Sequence, residues 1–559
     1  MIDWRPSEGI NYTDELKQVI TAEGSIAVLA SAGSGKTELL AQKADYLFAT
    51  GKCTWPRRVL SLTFKREAQY NIKKRVVKRC GSNSTRFDSF TFHAFAKSIV
   101  DRFKSLLPDE KKPIDTYDIA SKSSEADGIN KLTMNQIIVL SISIINSNET
   151  IKKLLVDSYS HIFIDEFQDT TNEQYELITC IFKGTDAKIL SVGDMNQSIM
   201  IWAGARKTVF NDYITDFSAS YKFLLTNYRS SEDIQRVLSV FQTFMENPAN
   251  ISYNSDESLG CTISIYRDEV HEAAHISNKI VELINSGIAA SDICILTKQQ
   301  SSIYTQIVRD SLSKLGINNL DMSELQDSLK EPVGEIFSLY IKVLICPEPK
   351  FTIKLHDLLL TINNIEPNDD KEEALSSSFY RFIHYQKESV TDAITVDELL
   401  SKVNAFISYV GFDKIISKWK QYKTESFYHG LWRVLELHLR DVFSKATSSV
   451  EAVKLFTADN AVQIMNVHKC KGLEYHAVFF IGLEDQAFWS YSRAQFENNC
   501  AIYVAISRAK EHLEITYSLN REHRINQSFN NKASSCNSLS EVYSTFTKHC
   551  KIPLKDMTV

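Results

Sequence analysis

Four short apolar runs decide most of what this chain can fold into: "SIAVLA" (25–30), "RVLSLTF" (58–64), "HIFIDE" (161–166) and "KILSVGD" (188–194). Each is rich in aliphatic and β-branched residues and stops at small or acidic ones. Helix-length segments such as "REAQYNIKKRVVKRC" (66–80) lie between them. Strands that alternate with helices cannot pair as tight hairpins, so the pattern predicts a parallel sheet covered by helices. In such sheets ligands bind beyond the carboxyl ends of the strands. That is where the small and acidic residues fall.

A second set of strand-like runs follows: "TISIYR" (262–267), "DICILTK" (292–298), "VQIMNVH" (462–468), "AVFFIGL" (477–483) and "LEITYS" (513–518). They predict a second parallel sheet, interrupted by a mainly helical insertion at about 305–455, and a smaller helical insertion at about 96–155 interrupts the first. The apolar spacing in "VGEIFSLYIKVLI" and "FYHGLWRVLELHLRDVF" reads as packing within the larger insertion. The polar stretch "NQSFNNKASSCNSLS" (526–540) is the best linker candidate. With 559 residues and roughly 150 residues per domain, three or four domains are expected. A composition of 43% hydrophobic and 24% charged residues excludes a disordered or fibrous chain. The net charge of -6 means that nucleic-acid binding requires a local basic groove. Ten cysteines without a C-x-x-C pair fit free thiols in a reducing compartment. No apolar run reaches the roughly 18 residues of a membrane span, and "MIDWRPSEG" lacks a signal pattern, so a cytoplasmic protein without a membrane partner is expected.

The first run leads into "ASAGSGKT", Ala30, Ser31, Ala32, Gly33, Ser34, Gly35, Lys36 and Thr37. Glycines let backbone N–H groups turn inward on phosphate oxygens, a lysine reaches the terminal phosphates, and a hydroxyl binds Mg²⁺. Asp165 and Glu166 end the third run; one acid can hold Mg²⁺ and the other can orient and deprotonate the attacking water. Either feature alone is common as a glycine turn or a solvated strand end. Together on one sheet they point to a nucleoside triphosphatase using ATP and Mg²⁺. Arg229 in "TNYRSS" and Arg508 in "YVAISRAK" are candidates to meet charge developing on the phosphoryl group. Arg508 is expected in the second sheet, which would place the nucleotide between two domains.

In "ASAGSGKT", "LTFKREAQYNIKKR", "TFHAF", "DEFQDT", "VGDMNQSI", "NYRS", "HKCKGLEY" and "YVAISRA", in this order, the chain resembles superfamily 1 DNA helicases of the UvrD/Rep/PcrA type. The resemblance implies an α/β fold with two RecA-like parallel-sheet P-loop domains, each with a helical insertion: 1A at 1–95 and 156–230, 1B at 96–155, 2A at 231–325 and 456–520, 2B at 326–455, and a tail at 521–559. It implies that Gln197 senses the γ-phosphate and attacking water, that Arg229 and Arg508 reach the phosphates, that Tyr228 stacks on the adenine, and that Glu474 lies near the ribose. Thr63, Phe64, His93 and Trp202 match positions that contact single-stranded DNA, and aromatic platforms suit that role because stacking does not depend on sequence. Lys65, Arg66, Lys73 and Lys74 can add phosphate contacts, although Lys73 and Lys74 read more simply as a solvated helix face.

Several positions depart from the family pattern. The glutamine that reads adenine is expected within "NYTDELKQV", where Leu16 takes the most natural position and Gln18 follows two residues later. Met200 and Ala203 replace an aromatic and a cation on the DNA side, Asn499 and Cys500 replace paired arginines, and Asn466 replaces a threonine. The implied activity is ATP-dependent helicase or translocase movement, 3′ to 5′, on single-stranded DNA and duplex junctions. The alternative is a regulatory DNA-dependent ATPase subunit that controls a separate nuclease, because the layout is also similar to compact UvrD-like subunits of bacterial anti-phage systems such as Gabija. An RNA or hybrid track is a third reading. No nuclease signature follows residue 515.

Overall fold

The computed structural model describes residues 4–7, 12–115, 117–120, 123–251, 260–323, 325–365, 370–524 and 532–558. Residues 526–531 of the linker candidate and the side chain of Arg66 lie outside the described residues. The chain divides into two units, one comprising Met1–Asp256, Ser490–Lys510 and Lys548–Cys550, the other Glu257–Trp489, Glu511–Thr547 and Lys551–Val559.

The first unit is built on six strands, β1 (Ile26–Ala30), β2 (Arg58–Thr63), β3 (Phe87–Thr91), β6 (Tyr159–Ile164), β7 (Lys188–Gly193) and β8 (Ser220–Leu224); a two-stranded pair, β4 (Asp118–Ile119) and β5 (Lys131–Leu132), sits apart. The order across the sheet is β3-β2-β6-β7-β1-β8 and all five pairings are parallel. Side chains alternate between the faces of a strand, and two cores result. Val28, Val59 and Phe163 face a core shared with α1 (Asp14–Thr21), α2 (Lys36–Ala49) and α3 (Arg66–Cys80). Ala27, Leu60, Ile162 and Ile164 face another with α4 (Phe92–Phe103), α5 (Met134–Ser147), α6 (Glu149–Ser158), α7 (Asn172–Phe182) and α8 (Val209–Phe217). The small insertion is therefore no separate body: α5, started by a Thr133–Gln136 capping box, buries Ile137, Ile138, Ile144 and Ile145 in the core of the first sheet. This unit also extends past residue 230 through α9 (Glu232–Glu246).

The second unit carries seven strands in the order β11-β12-β10-β13-β14-β9-β15: β9 (Cys261–Tyr266), β10 (Ile293–Thr297), β11 (Asn319–Asp321), β12 (Val462–Asn466), β13 (Tyr475–Ile481), β14 (Ala509–Ser518) and β15 (Leu554–Met557). Ile276 and Ile280 of α10 (Glu269–Asn285) pack on Ile293, Ile464 and Phe479 of this sheet. Helices run from Leu325–Lys330 to Ser449–Phe456, and their apolar stripes pack on one another, as in Tyr340 stacked on Phe406 at 4.3 Å.

Two expectations about the C-terminal third are corrected. Residues 490–510 group with the first unit instead of the second, because the helix Gln495–Ile506 packs against the turn Met195–Gln197 and against α9. Residues 521–559 are more than a tail: β15 pairs with β9 in parallel, Leu554 opposite Ile263, and Arg521 is 1% exposed between the carboxylates of Glu272 (2.5 Å) and Glu484 (3.3 Å).

Candidate nucleotide and nucleic-acid site

Every strand of the first sheet delivers candidate residues at its carboxyl end, and their lateral order follows from the strand order. After β3 and β2 come His93, Thr63 and Phe64; after β6, β7, β1 and β8 come the acids, the "GDMNQ" turn, the phosphate loop and the "NYRS" loop.

The phosphate loop leaves β1 with Gly33 and Gly35 in the left-handed region, φ +73° and +82°. Gly35 then caps α2, whose first two residues are Lys36 and Thr37, so unpaired amides of the first turn face the loop. Gly33 has a second constraint, since an added Cβ would lie 2.3 Å from Asn227 Oδ1 and 2.8 Å from Arg229 Cβ. The "NYRS" loop is thus laid directly on the phosphate loop. The Asn227 side chain accepts from the N–H groups of Arg229 (2.7 Å) and Ser230 (3.2 Å), and the Tyr228 N–H donates to Gly33 O at 3.1 Å. The Tyr228 ring is 53% exposed.

Asp165 is buried and accepts from the Glu166 N–H at 2.9 Å. Glu166 adopts φ +51°, an uncommon conformation for a side chain with a Cβ. Gln168 Nε2 donates to Glu166 Oε2 at 2.6 Å, and Gln168 Oε1 accepts from the Asp194 N–H at 3.0 Å. Gln168 therefore ties the end of β6 to the end of β7. Gly193 permits this, because a Cβ there would meet Gln168 Oε1 at 2.3 Å. Gln197, 3% exposed, donates from Nε2 to Asp194 Oδ2 at 2.7 Å. Burial pushes the Asp194 carboxyl up, against the opposing pull of Lys36, while Glu166 adds to the rise. The field of this one buried acid thus registers the phosphate-loop lysine and the Glu166 carboxylate together.

Arg508 requires a correction: it belongs to the first unit, where its Nη2 donates to Gln197 Oε1 at 3.3 Å and to Ser507 Oγ at 2.7 Å. Arg229 Nη1 donates to Ser507 O at 3.3 Å. Both candidate arginines therefore converge on Ser507, beside Gln197. Tyr503, a turn earlier, is 2% exposed beside Asp194 and the backbone of Ala32. Burial and the neighbouring Asp194 hold its phenol protonated.

From Gln197 the chain passes buried Ile199 into a 3-10 turn, Ile201–Ala203, that sets Trp202 outward at 68% exposure. The Trp202 N–H donates to Glu497 Oε1 at 3.3 Å. Phe64 and His93 are half-buried. Thr63 is fully buried and its hydroxyl donates to Lys65 O at 3.1 Å, so its side chain serves the fold and is not presented to a ligand. Lys73 and Lys74 are exposed on α3. Glu474 is exposed in the second unit, between Val467–Cys470 and β13.

Leu16 packs against the core and Gln18 is exposed. The α1 side chain bonded to the loop before Tyr228 is Glu15. Sequence reading assigned no role to Glu15, Gln168, Asp194, Asn227 or Tyr503. The signal available for Gln168 and Asp194 was a polar residue just past a strand end, inside the motifs "DEFQDT" and "VGDMNQSI"; for Asn227 and Glu15 there was none, since their importance is a tertiary contact.

The family model of the UvrD/REP helicase N-terminal domain matches residues 12–124 and 110–218, and that of the UvrD-like helicase C-terminal domain matches residues 360–520. A probable DNA helicase II homologue of Mycoplasma capricolum is 22% identical, over 90% of this chain and 83% of its own length. The ATP-dependent DNA helicase PcrA of Bacillus subtilis is 23% identical, over 91% and 82% respectively. The ATP-dependent DNA helicase Rep of Buchnera aphidicola is likewise 23% identical, over 88% and 91%. With both halves matched and a phosphate loop, acid pair and glutamine turn assembled at one sheet edge, the chain belongs to the UvrD-like superfamily 1 helicases, an α/β family of RecA-like P-loop domains.

Proposed function

We propose that this chain is an ATP-dependent DNA helicase or translocase that moves 3′ to 5′ along a single strand and separates strands at duplex junctions. The observation that carries the reading is the loop 194–202, which starts at the buried Asp194–Gln197 pair and ends, five residues after Gln197, at the exposed Trp202. A change in hydrogen bonding at Gln197 has a short covalent path to an aromatic platform. Relatives that are ATP-dependent DNA helicases support the reading.

In this reading the amides of Gly33 to Thr37 and the Lys36 ammonium bind the phosphates. Thr37 and Asp165 offer only hard oxygen donors, which fits Mg²⁺, and they would hold it; when bound it screens phosphate charge. Glu166, fixed by Gln168, takes a proton from the attacking water, and Gln197 orients that water. Arg229 and Arg508 meet the charge that develops on the phosphoryl oxygens. Phe64 and Trp202 stack on bases, with His93 beside that track. Tyr228 stacks on the adenine and Glu474 lies near the ribose.

Strand displacement on 3′-tailed, 5′-tailed and blunt duplexes tests the proposal. Unwinding of the 3′-tailed duplex with ATP is expected, with none by Lys36→Ala, which should also lose DNA-stimulated hydrolysis. Intact DNA-stimulated hydrolysis without displacement of any duplex would overturn the helicase reading. Full activity of Lys36→Ala would overturn the site assignment.

A further inference from the structure

The loop that carries Trp202 is held at both ends by one stretch of chain, residues 168–175. Its entry is tied to Gln168, whose Oε1 accepts from the Asp194 N–H at 3.0 Å and whose backbone O accepts from the Ser198 hydroxyl at 3.4 Å. The turn then closes on itself, with Met200 O accepting from the N–H groups of Ala203 (3.0 Å) and Ala205 (3.1 Å). At the exit Ala205 pairs with Thr171 in an antiparallel bridge, and the Arg206 N–H donates to Thr170 O at 2.9 Å. The Arg206 side chain completes this exit. Its Nε donates to Asp212 Oδ2 at 2.6 Å, its Nη1 donates to Asn172 Oδ1 at 3.3 Å, and its guanidinium lies 4.8 Å from the centroid of the Tyr175 ring. That ring is 4% exposed in the core of the first sheet, and its hydroxyl donates to Asp216 Oδ2 at 2.8 Å. One side chain therefore pins the loop to the first residue of α7, to the next turn of α7 and to α8.

We infer that Arg206 is a positioning residue for the DNA track, the fixed end of a lever whose moving end is the Asp194–Gln197 pair and whose tip is Trp202. The inference rests on the helicase reading above. A turn passes a displacement from one leg to its tip only if the other leg stays in place; with both legs loose, a shift at Gln197 is absorbed by bending the loop. The entry leg depends on Gln168, Asp194 and Gln197, which belong to the nucleotide site. The exit leg is bonded to two helices whose Leu177, Ile178, Phe210 and Tyr213 are buried in the same core. A guanidinium suits this place because it is planar, so it lies on a ring while its edge nitrogens reach two acceptors, which a lysine ammonium cannot reproduce. A platform that is held in its binding pose for only a fraction of the time binds more weakly by that fraction. Arg206 thus acts on DNA through the Trp202 ring.

The test is titration of the full chain with a fluorescent single-stranded oligonucleotide, once with ADP and once with a non-hydrolysable ATP analogue, both with Mg²⁺. The proteins compared are the native chain, Arg206→Met, Trp202→Ala and the double variant. Methionine packs on the Tyr175 ring without hydrogen bonds, and Arg206 lines an open cavity of about 480 Å³, so its surroundings have room to relax. An unchanged thermal transition checks the fold; if Arg206→Met fails to fold, Arg206→Lys takes its place with the same expectations. The two nucleotide states of the native protein are expected to differ in DNA affinity by at least about fivefold. Arg206→Met is expected to bring that ratio down toward one and to weaken the tighter state. In the Trp202→Ala background it is expected to change nothing further, because substitutions that act through one ring are not additive. A merely structural residue would leave the ratio at its native value, or would add its own loss to that of Trp202→Ala; either result overturns the assignment of Arg206 and leaves the helicase reading standing. Equal native affinities in the two nucleotide states overturn the coupling drawn from the loop 194–202, and the assignment with it.

Discussion

Gly33 shows how little freedom single positions in the nucleotide site retain. Its φ of +73° already disfavours any side chain, and the space a Cβ needs is taken by Asn227 and Arg229. Gly33→Ala must therefore push the "NYRS" loop off the phosphate loop as well as strain the backbone, at a cost of about 1–3 kcal/mol for the strain alone. The expected result is nucleotide affinity reduced at least about tenfold with the thermal transition retained, checked by titration with a fluorescent nucleotide. Trp202 is placed in the opposite sense, turned outward at 68% exposure. If it is a stacking platform, Trp202→Ala should weaken single-stranded DNA binding by roughly tenfold or more, as the loss of ~1–3 kcal/mol per stacked base requires. Trp202→Phe should recover most of it, and an oligonucleotide titration distinguishes this from an inert surface residue, for which all three proteins would bind equally. The residues of this site that sequence made legible are those whose chemistry depends on local spacing: Gly33, Gly35, Lys36 and Thr37 in one turn, Asp165 and Glu166 at one strand end. Gln168 and Asn227 were not legible, because each acts on a segment far along the chain, β7 and the phosphate loop.

At the scale of elements, the strands that sequence revealed are the apolar interior ones. β3 ("FDSFT") holds only two apolar residues, and like β8 ("SYKFL"), β11 and β15 it is a short edge strand, for which little apolar patterning is needed. They order the site nonetheless, since β8 delivers the "NYRS" loop and β3 delivers His93. The sheet also carries a pH liability. His161 of β6, hydrogen-bonded through Nδ1 to Ser160 Oγ at 3.0 Å, is pushed down to about 4 by burial, with Lys43, Lys188 and Arg57 adding to the effect. Its ordinary value is 6.5. Between those values the unfolded chain binds a proton that the folded chain refuses, so stability falls as pH drops from about 6.5 toward 4. His161→Gln keeps a polar partner for Ser160 without a titrating group. It is expected to flatten the decline of the thermal midpoint across that window, and an undiminished slope would assign the acid sensitivity to other groups.

At the scale of the whole molecule, the chain is divided between two units in discontinuous pieces, with changes of unit after residues 256, 489, 510, 547 and 550. Reading domains as runs along the sequence therefore misplaced Arg508 and treated residues 521–559 as a tail. No local pattern announces that a segment closes a distant core, but burial of charge does. Arg521 is fully enclosed in the second unit, with Glu272 and Glu484 each at 0% exposure and Glu269 at 4.0 Å. Such an ion cluster adds little stability relative to apolar packing, yet removing its central cation leaves the carboxylates of Glu272 and Glu484 buried without that partner, at a cost of about 3–5 kcal/mol. Arg521→Leu should accordingly lower the thermal midpoint of the second unit by several degrees at neutral pH. The deficit should shrink as pH falls and the stranded carboxyls take up protons. Adding Glu272→Gln to Arg521→Leu removes one stranded charge and should restore part of the loss. If Arg521→Leu unfolds at the native temperature at pH 7, the C-terminal segment is an appendage after all; if it melts early and the second substitution raises the midpoint again, Arg521 is part of the core that holds the second sheet together.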